Sequence, residues 1–282
     1  MLGKLIKYDI KSMSKTFIPM WVLTPVIAMM LSLSMRGIIT TSRLSPAGSL
    51  AVARNGIVTM VMGLLFFGVI VGLVVMTIMF VIQRFWNGLL KEEGYLMFTL
   101  PVETWELITA KGLSATFVTC ISGADAVFSC LVLALFSEEV ILNTLADVWK
   151  LLTKELFEMG PVFMFNLALC LFLFILSVAQ SIYHVYAAMA LGQLFEGHRV
   201  LGACVSYVGI SIAVSVATSI VASVTSWILP NSWSYNWWFY MNHSSEVMGL
   251  IYLLVMILYT AVEIIVYHVI TERILSTKLN LE

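Results

Sequence analysis

The sequence predicts an all-α integral membrane protein with six transmembrane helices. Of its 282 residues, 61% are hydrophobic and only 11% are charged. Soluble domains are about 45–50% apolar and about 25% charged, so this chain lacks the charged surface that would hold it in water. Its mean hydropathy of +0.99 agrees with that deficit. The formal net charge is −1 and the basic residues are scattered, so nothing predicts binding to nucleic acid.

Six apolar stretches are long enough to cross a hydrocarbon core of ~30 Å. Between them lie polar segments, of which residues 36–55 are predicted to be a loop. Pro19 and Pro25 are expected to kink the first stretch, because proline removes a helical hydrogen bond. The predicted transmembrane domain covers residues 17–275, a tail covers 276–282, and the spans are about 17–35, 57–83, 105–136, 161–191, 200–228 and 247–270.

Residues 1–16 are predicted to form an amphipathic helix at the membrane surface. Apolar side chains fall on one side of such a helix, and lysines fall together on the other. This arrangement suits the boundary between acyl chains and anionic headgroups. A second boundary element is the aromatic segment before the last span. The predicted interface anchors are Lys4, Lys7, Lys11, Lys15, Trp233, Trp237 and Trp238.

Lysine and arginine in short loops predict the orientation, since they favour the cytoplasmic side. With a cytoplasmic N-terminus, ten basic residues lie inside and five lie outside. Both termini are therefore predicted to be cytoplasmic. The inside set is Lys4, Lys7, Lys11, Lys15, Arg84, Lys91, Lys111, Arg199, Arg273 and Lys278, and the outside set is Arg36, Arg43, Arg54, Lys150 and Lys154.

Catalytic and metal-binding patterns are missing from the sequence. The four cysteines lie in apolar runs without metal-ligand spacing, so they are interpreted as buried, inert thiols. No GxxxxGK[ST] motif occurs, so the chain is not expected to bind ATP through a P-loop. Asp125 follows Gly123-Ala124 and lacks the GxGD pattern of intramembrane aspartyl proteases. The chain is therefore predicted not to be an enzyme.

The most specific segment lies between the second and third spans. It reads Lys91-Glu92-Glu93-Gly94-Tyr95-Leu96-Met97-Phe98-Thr99-Leu100-Pro101-Val102. This segment resembles the ABC-2-type permeases of Gram-positive bacteria, in which an E-G-Y-L-x-x-T-L-P-V stretch follows the second span. Lys111 stands where such permeases carry a lysine, whereas Glu103 replaces the expected Ser or Thr helix cap.

The resemblance implies a type V ABC exporter-like fold with a cytoplasmic coupling helix between spans 2 and 3. It implies alternating-access export of an unidentified peptide, lipid or drug-like substrate across the bacterial cytoplasmic membrane. The partners would be membrane lipids, a separate ABC ATPase that carries ATP and Mg, and a second permease copy or paralogue; no cofactor would bind this chain. An ordinary polar loop is the alternative for the segment. The coupling residues implied are Glu92, Glu93, Gly94, Tyr95, Leu96, Thr99, Leu100 and Pro101.

Polar residues inside the spans are the remaining candidates, because they usually face a bundle interior or an aqueous cavity. Asp125, His184 and Gln180 are candidates for the translocation path. Asp125 is equally interpretable as a carboxyl held by neighbouring hydroxyls, and His184 as a packed histidine. Glu263 is interpreted as a packed structural acid, not paired with His268. An ATP-independent carrier or sensor is the alternative function, although few buried charges and no internal repeat count against a carrier.

Overall fold

A computed structural model describes residues 2–44, 50–90, 103–137, 150, 160–195, 197–228 and 246–277. Within these residues the secondary structure is helical, and no strand occurs. A π-helical turn, Trp86–Leu90, continues the second helix directly. The long helices of the described residues are α1 (Leu2–Leu44), α2 (Leu50–Phe85), α3 (Thr104–Ser137), α4 (Gly160–Gly192), α5 (Arg199–Ile228) and α6 (Glu246–Thr277).

Six helices of the described residues are long and apolar enough to cross a membrane. Their outer surfaces are apolar as well: on α2, Met60 is 70% exposed, Leu64 is 63% exposed and Phe67 is 67% exposed. Leaving such a side chain in water forfeits about 1.5–3 kcal/mol relative to burial, whereas lipid solvates it. The chain is a multi-pass membrane protein, and the prediction of six spans is confirmed.

The predicted loop at residues 36–55 is largely wrong, because helix α1 continues to Leu44 and α2 already begins at Leu50. Polar residues there indicate where the chain leaves hydrocarbon, and a helix can continue beyond that point. The Thr40 hydroxyl donates to the Arg36 carbonyl at 3.0 Å, and the Asn55 amide donates to the Thr41 hydroxyl at 2.7 Å. These bonds satisfy polar groups on α1 and α2 without a loop.

Helix α1 also has no break at residue 16 and runs through both Pro19 and Pro25. Lys7, Lys11 and Lys15 are exposed along it. Placement of residues 1–16 on a membrane surface stays a prediction, as do the kink at the prolines and the orientation of the termini.

The chain divides into two compact units, of which unit 2 contains Lys4–Val81 and Phe117–Glu158. One apolar cluster in this unit consists of Met13, Phe17 and Val118, with Trp21 and Phe80 packed against them. The rings of Phe17 and Phe80 meet edge to face, with centroids 5.2 Å apart. Helices α1, α2 and the second part of α3 therefore assemble around aromatic side chains.

Unit 1 contains Met1–Gly3, Ile82–Thr116 and Met159–Glu282. Helix α4 packs against both α5 and α6 in this unit. A short turn joins α4 to α5, and Gly197 in this turn has a φ of 90°, which glycine adopts without strain. At the end of α4, a Cβ added to Gly192 would lie 2.6 Å from the backbone nitrogen of Ala203. Glycine at position 192 therefore lets the two helices approach closely.

We expect Gly192→Ala to lower the stability of the protein by about 1–3 kcal/mol, since the new methyl group would overlap backbone atoms that cannot move independently. Thermal unfolding of the purified protein in detergent measures this change. Gly209→Ala on α5 is the matched control, because a Cβ there meets nothing within 4 Å. Equal melting temperatures for the two variants would contradict the close approach of α4 and α5.

Candidate functional site

The end of α2, which leads into the segment of residues 91–102, is anchored on helix α4. Phe85 and Tyr186 stack with ring centroids 4.1 Å apart, and both residues are 0% exposed. The Tyr186 hydroxyl also donates to the backbone carbonyl of Lys111 on α3, at 3.4 Å. Tyr186 thus contacts the chain on both sides of the segment between α2 and α3.

Two glycines allow these flanks to come together. Lys111 is only 3% exposed, and its Nζ lies 2.5 Å from the position of a Cβ added to Gly88 in the π-helical turn. Gly112 faces the ring of Tyr183 so closely that any Cβ would overlap it. The aliphatic stem and charged group of Lys111 therefore occupy space that a larger residue at 88 would fill. Both flanks are held by packing on one another and on α4.

The predicted coupling residues themselves, Glu92, Glu93, Gly94, Tyr95, Leu96, Thr99, Leu100 and Pro101, lie outside the described residues. The same is true of Trp233, Trp237 and Trp238, and of the side chain of Lys4. The roles predicted for these residues stay predictions. What the structure describes is the packing of the two flanks, at Phe85 on one side and at Lys111 on the other.

A polar network joins α4 to α6 in unit 1. The amide nitrogen of Gln180 donates a hydrogen bond to the carboxylate of Glu263. Glu263 is 8% exposed and lies near the middle of α6, which is longer than the predicted sixth span. Tyr259 and Tyr267 are four residues before and after Glu263, and both interact with its carboxylate. A helical spacing of four places all three on one face.

His184, one turn after Gln180 on α4, extends the network to α5. Its Nε2 lies 3.3 Å from the Ser211 hydroxyl and 3.4 Å from the Tyr207 carbonyl. The Ser211 hydroxyl also donates to the Tyr207 carbonyl, at 2.8 Å. The ring lies 4.6 Å from that of Tyr207 and 5.1 Å from that of Tyr267.

The two tyrosines beside Glu263 differ in their hydrogen bonding. The Tyr259 hydroxyl is hydrogen-bonded to the Glu263 carboxylate and lies 2.6 Å from the Thr218 hydroxyl, where either atom can be the donor. Tyr267 is 2% exposed, and its hydroxyl has no hydrogen-bond partner among the described residues. Nor does any cation in that part of the chain pair with Glu263.

Asp125 belongs to a separate polar group in unit 2. Its carboxyl is hydrogen-bonded to the Thr24 hydroxyl, while its Oδ2 has no partner within the described residues. One turn later, Ser129 is fully buried and its hydroxyl is likewise unpartnered there. On the preceding turn, the Trp21 indole donates to the Ser122 hydroxyl at 3.1 Å. Both interpretations of Asp125, as a path residue and as a carboxyl held locally, stay predictions.

Of the three predicted path residues, the structure brings Gln180 and His184 together in one network, and Asp125 lies in unit 2. Sequence reasoning missed the bond between Gln180 and Glu263. No local pattern links residues on different spans, but the spacing of Tyr259, Glu263 and Tyr267 indicated a polar face on α6. Among the described residues, no group of three or more His, Cys, Asp or Glu side chains is arranged to hold a metal ion.

No family model, no curated protein and no solved structure matches this chain.

We expect Gln180→Leu to destabilise the protein by about 1–3 kcal/mol, because the substitution leaves a buried carboxylate without its amide donor. Replacing both partners, as Gln180→Leu with Glu263→Leu, is expected to recover most of that loss, since an apolar pair leaves no polar group unsatisfied. A double-mutant cycle on thermal or denaturant unfolding measures the coupling. Strictly additive effects would contradict the hydrogen bond between α4 and α6.

Proposed function

We propose that this chain is the permease subunit of an ATP-driven exporter of the ABC-2 type. Six membrane-spanning helices and the Glu93–Val102 stretch between the second and third support this proposal. In this proposal a separate ATPase grips residues 84–101, and two permease copies or paralogues form the translocation pathway. Export of a peptide, lipid or drug-like cargo follows from alternating access driven by the ATPase.

The observation that carries the proposal is the contact that both flanks of this segment make with α4. A coupling element transmits force only if its ends are fixed to the helices that must move. Phe85 stacks on Tyr186 at one end, and the Tyr186 hydroxyl reaches the Lys111 carbonyl at the other. A displacement of the segment would therefore be passed to α4, and through α4 to α5 and α6, which pack on it. A freely attached polar loop would need no such packing at either end.

A second candidate function, an ATP-independent carrier, is favoured by the polar network around Glu263. Carboxylates inside membrane spans are rare and often belong to ion or substrate pathways. The two candidates differ in their energy source, so the presence of an ATPase partner separates them.

Affinity purification of the tagged chain in mild detergent is expected to co-elute a stoichiometric P-loop ATPase. Joint substitution of Glu92, Glu93 and Tyr95 by alanine should abolish co-elution or uncouple ATP hydrolysis, because these side chains would form the contact surface. The matched control replaces three exposed residues on α1, Lys7, Lys11 and Lys15, by alanine. Purification of the intact chain without any ATPase would refute the exporter and leave the carrier.

Phe85→Leu tests force transmission separately from docking. We expect the ATPase still to co-elute, since residues 91–102 are unchanged, but its hydrolysis rate to fall towards that of the isolated ATPase. The cause would be loss of the ring stack with Tyr186. Phe67→Leu is the control on the same helix, where the side chain is 67% exposed. A normal hydrolysis rate in the Phe85→Leu complex would show that this contact plays no part in coupling.

A further inference from the structure

The carboxylate of Glu263 is buried, and no cation among the described residues pairs with it. Gln180 donates one hydrogen bond to it and the Tyr259 hydroxyl is hydrogen-bonded to it as well, but both are neutral groups. Transfer of an unpaired carboxylate into an apolar medium is strongly unfavourable. A bound positive charge would remove this cost.

The adjacent hydroxyl of Tyr267 is a second buried polar group whose needs the described residues do not meet. Its side chain is 2% exposed, yet the hydroxyl has no hydrogen-bond partner within the described residues. Its ionisable neighbours are Glu263 and Tyr259 on α6 and Tyr207 on α5. A buried hydroxyl without a partner is unusual in a native structure and calls for a ligand or another explanation.

The donor and acceptor balance identifies the ligand class. The carboxylate of Glu263, the phenol oxygens of Tyr259 and Tyr267, and the amide oxygen of Gln180 all accept hydrogen bonds. A protonated amine has three donors and no acceptor, so it complements this set. The rings of Tyr207 and Tyr267, on either side of His184, add the electron-rich faces that attract a cation.

A groove on α5 begins at the same place. It is an open groove of about 740 Å³ along one face of the helix, and Tyr207 and Ser211 line both the groove and the network. Ile212 and Val216 contribute apolar surface. The serine hydroxyls are already bonded along the helix: Ser219 donates to the Ser215 carbonyl and Ser223 to the Ser219 carbonyl, each at 2.8 Å. Such a surface accepts a mostly apolar body.

We propose that Glu263, Tyr267 and Gln180 bind the protonated amine of an amphipathic molecule whose apolar body occupies the groove on α5. This inference names the class of the exported cargo, so it rests on the proposed exporter function. The titratable groups that interact with Glu263 are Tyr259 and Tyr267 on α6, and Tyr207 on α5 lies next to Tyr267. None of them supplies a permanent positive charge, so the amine is the counter-ion.

The test uses the purified full-length chain in lipid nanodiscs, with octylamine as the cationic probe and octanol as its uncharged counterpart. Ligand binding to the folded state raises the melting temperature in proportion to the logarithm of ligand concentration over Kd. We expect octylamine to raise the melting temperature and octanol at the same concentration to leave it unchanged. Equal effects of the two probes would overturn the proposal, because the apolar chain alone would explain binding.

Three variants locate the amine. Glu263→Gln should weaken octylamine binding by about tenfold or more, since it removes the charged partner. Glu272→Gln, nine residues further along the same helix, should bind as the wild type does. Tyr267→Phe should weaken binding while the unliganded melting temperature stays the same or rises, because the hydroxyl it removes has no partner. Unchanged octylamine affinity in both Glu263→Gln and Tyr267→Phe would refute the site. If Glu263→Gln does not fold, the octylamine affinity of Tyr267→Phe alone decides.

The outcome is separable from that of the exporter proposal, because amine binding is measured without an ATPase. Loss of the amine effect in a chain that co-purifies with its ATPase would remove this site alone. Amine binding by a chain that has no ATPase partner would keep the site and reject ATP-driven export.

Discussion

Inside a bilayer, a polar group finds a partner within the protein or stays unsatisfied, because hydrocarbon offers none. Helices satisfy the backbone, and most hydroxyls return to a carbonyl one turn earlier. Thr77 donates to the Leu73 carbonyl and Thr271 to the Tyr267 carbonyl, each at 2.7 Å. Carboxylates, amides and imidazoles cannot be satisfied in this local way. Gln180, His184 and Glu263 therefore connect different helices, and these connections determine how α4, α5 and α6 are joined.

Helix α4 carries residues of both groups for which a function is proposed. Gln180 and His184 hold the polar network, while Tyr183 and Tyr186 contact the flanks of the segment between α2 and α3. The Tyr183 ring also meets the imidazole of His268 on α6, with centroids 5.7 Å apart. Residues 182–183 and 186–190 of α4 are buried, so this stretch is fixed by close packing. Any movement that couples the two groups would therefore pass through this one helix.

The sequence predicted the number of spans because each span is a long run of apolar residues, a signal that composition carries by itself. It placed helix ends poorly around residues 36–55, where polarity changes at the edge of hydrocarbon but the backbone hydrogen bonds continue. The spacing of Tyr259, Glu263 and Tyr267 is visible in the sequence. The hydrogen bond from Gln180 on α4 to Glu263 is not visible in the sequence, because the two residues are 83 positions apart and no local rule relates them.

Stability alone does not account for a carboxylate at position 263. A leucine there would avoid the cost of desolvating a charge, and replacing buried ion-pairing groups by apolar ones is often neutral or stabilising. If a protonated amine supplies the missing charge, its binding changes the free energy of the α4–α6 arrangement. Because α4 also holds the base of the segment that the proposed ATPase grips, the two events share one structural element. Linkage between two binding events is reciprocal. If an ATPase state shifts α4 and thereby changes the amine affinity by some factor, the bound amine must change the equilibrium between ATPase states by the same factor. The proposed export would use such a difference in affinity, with strong amine binding in one arrangement of the helices and weak binding in the other.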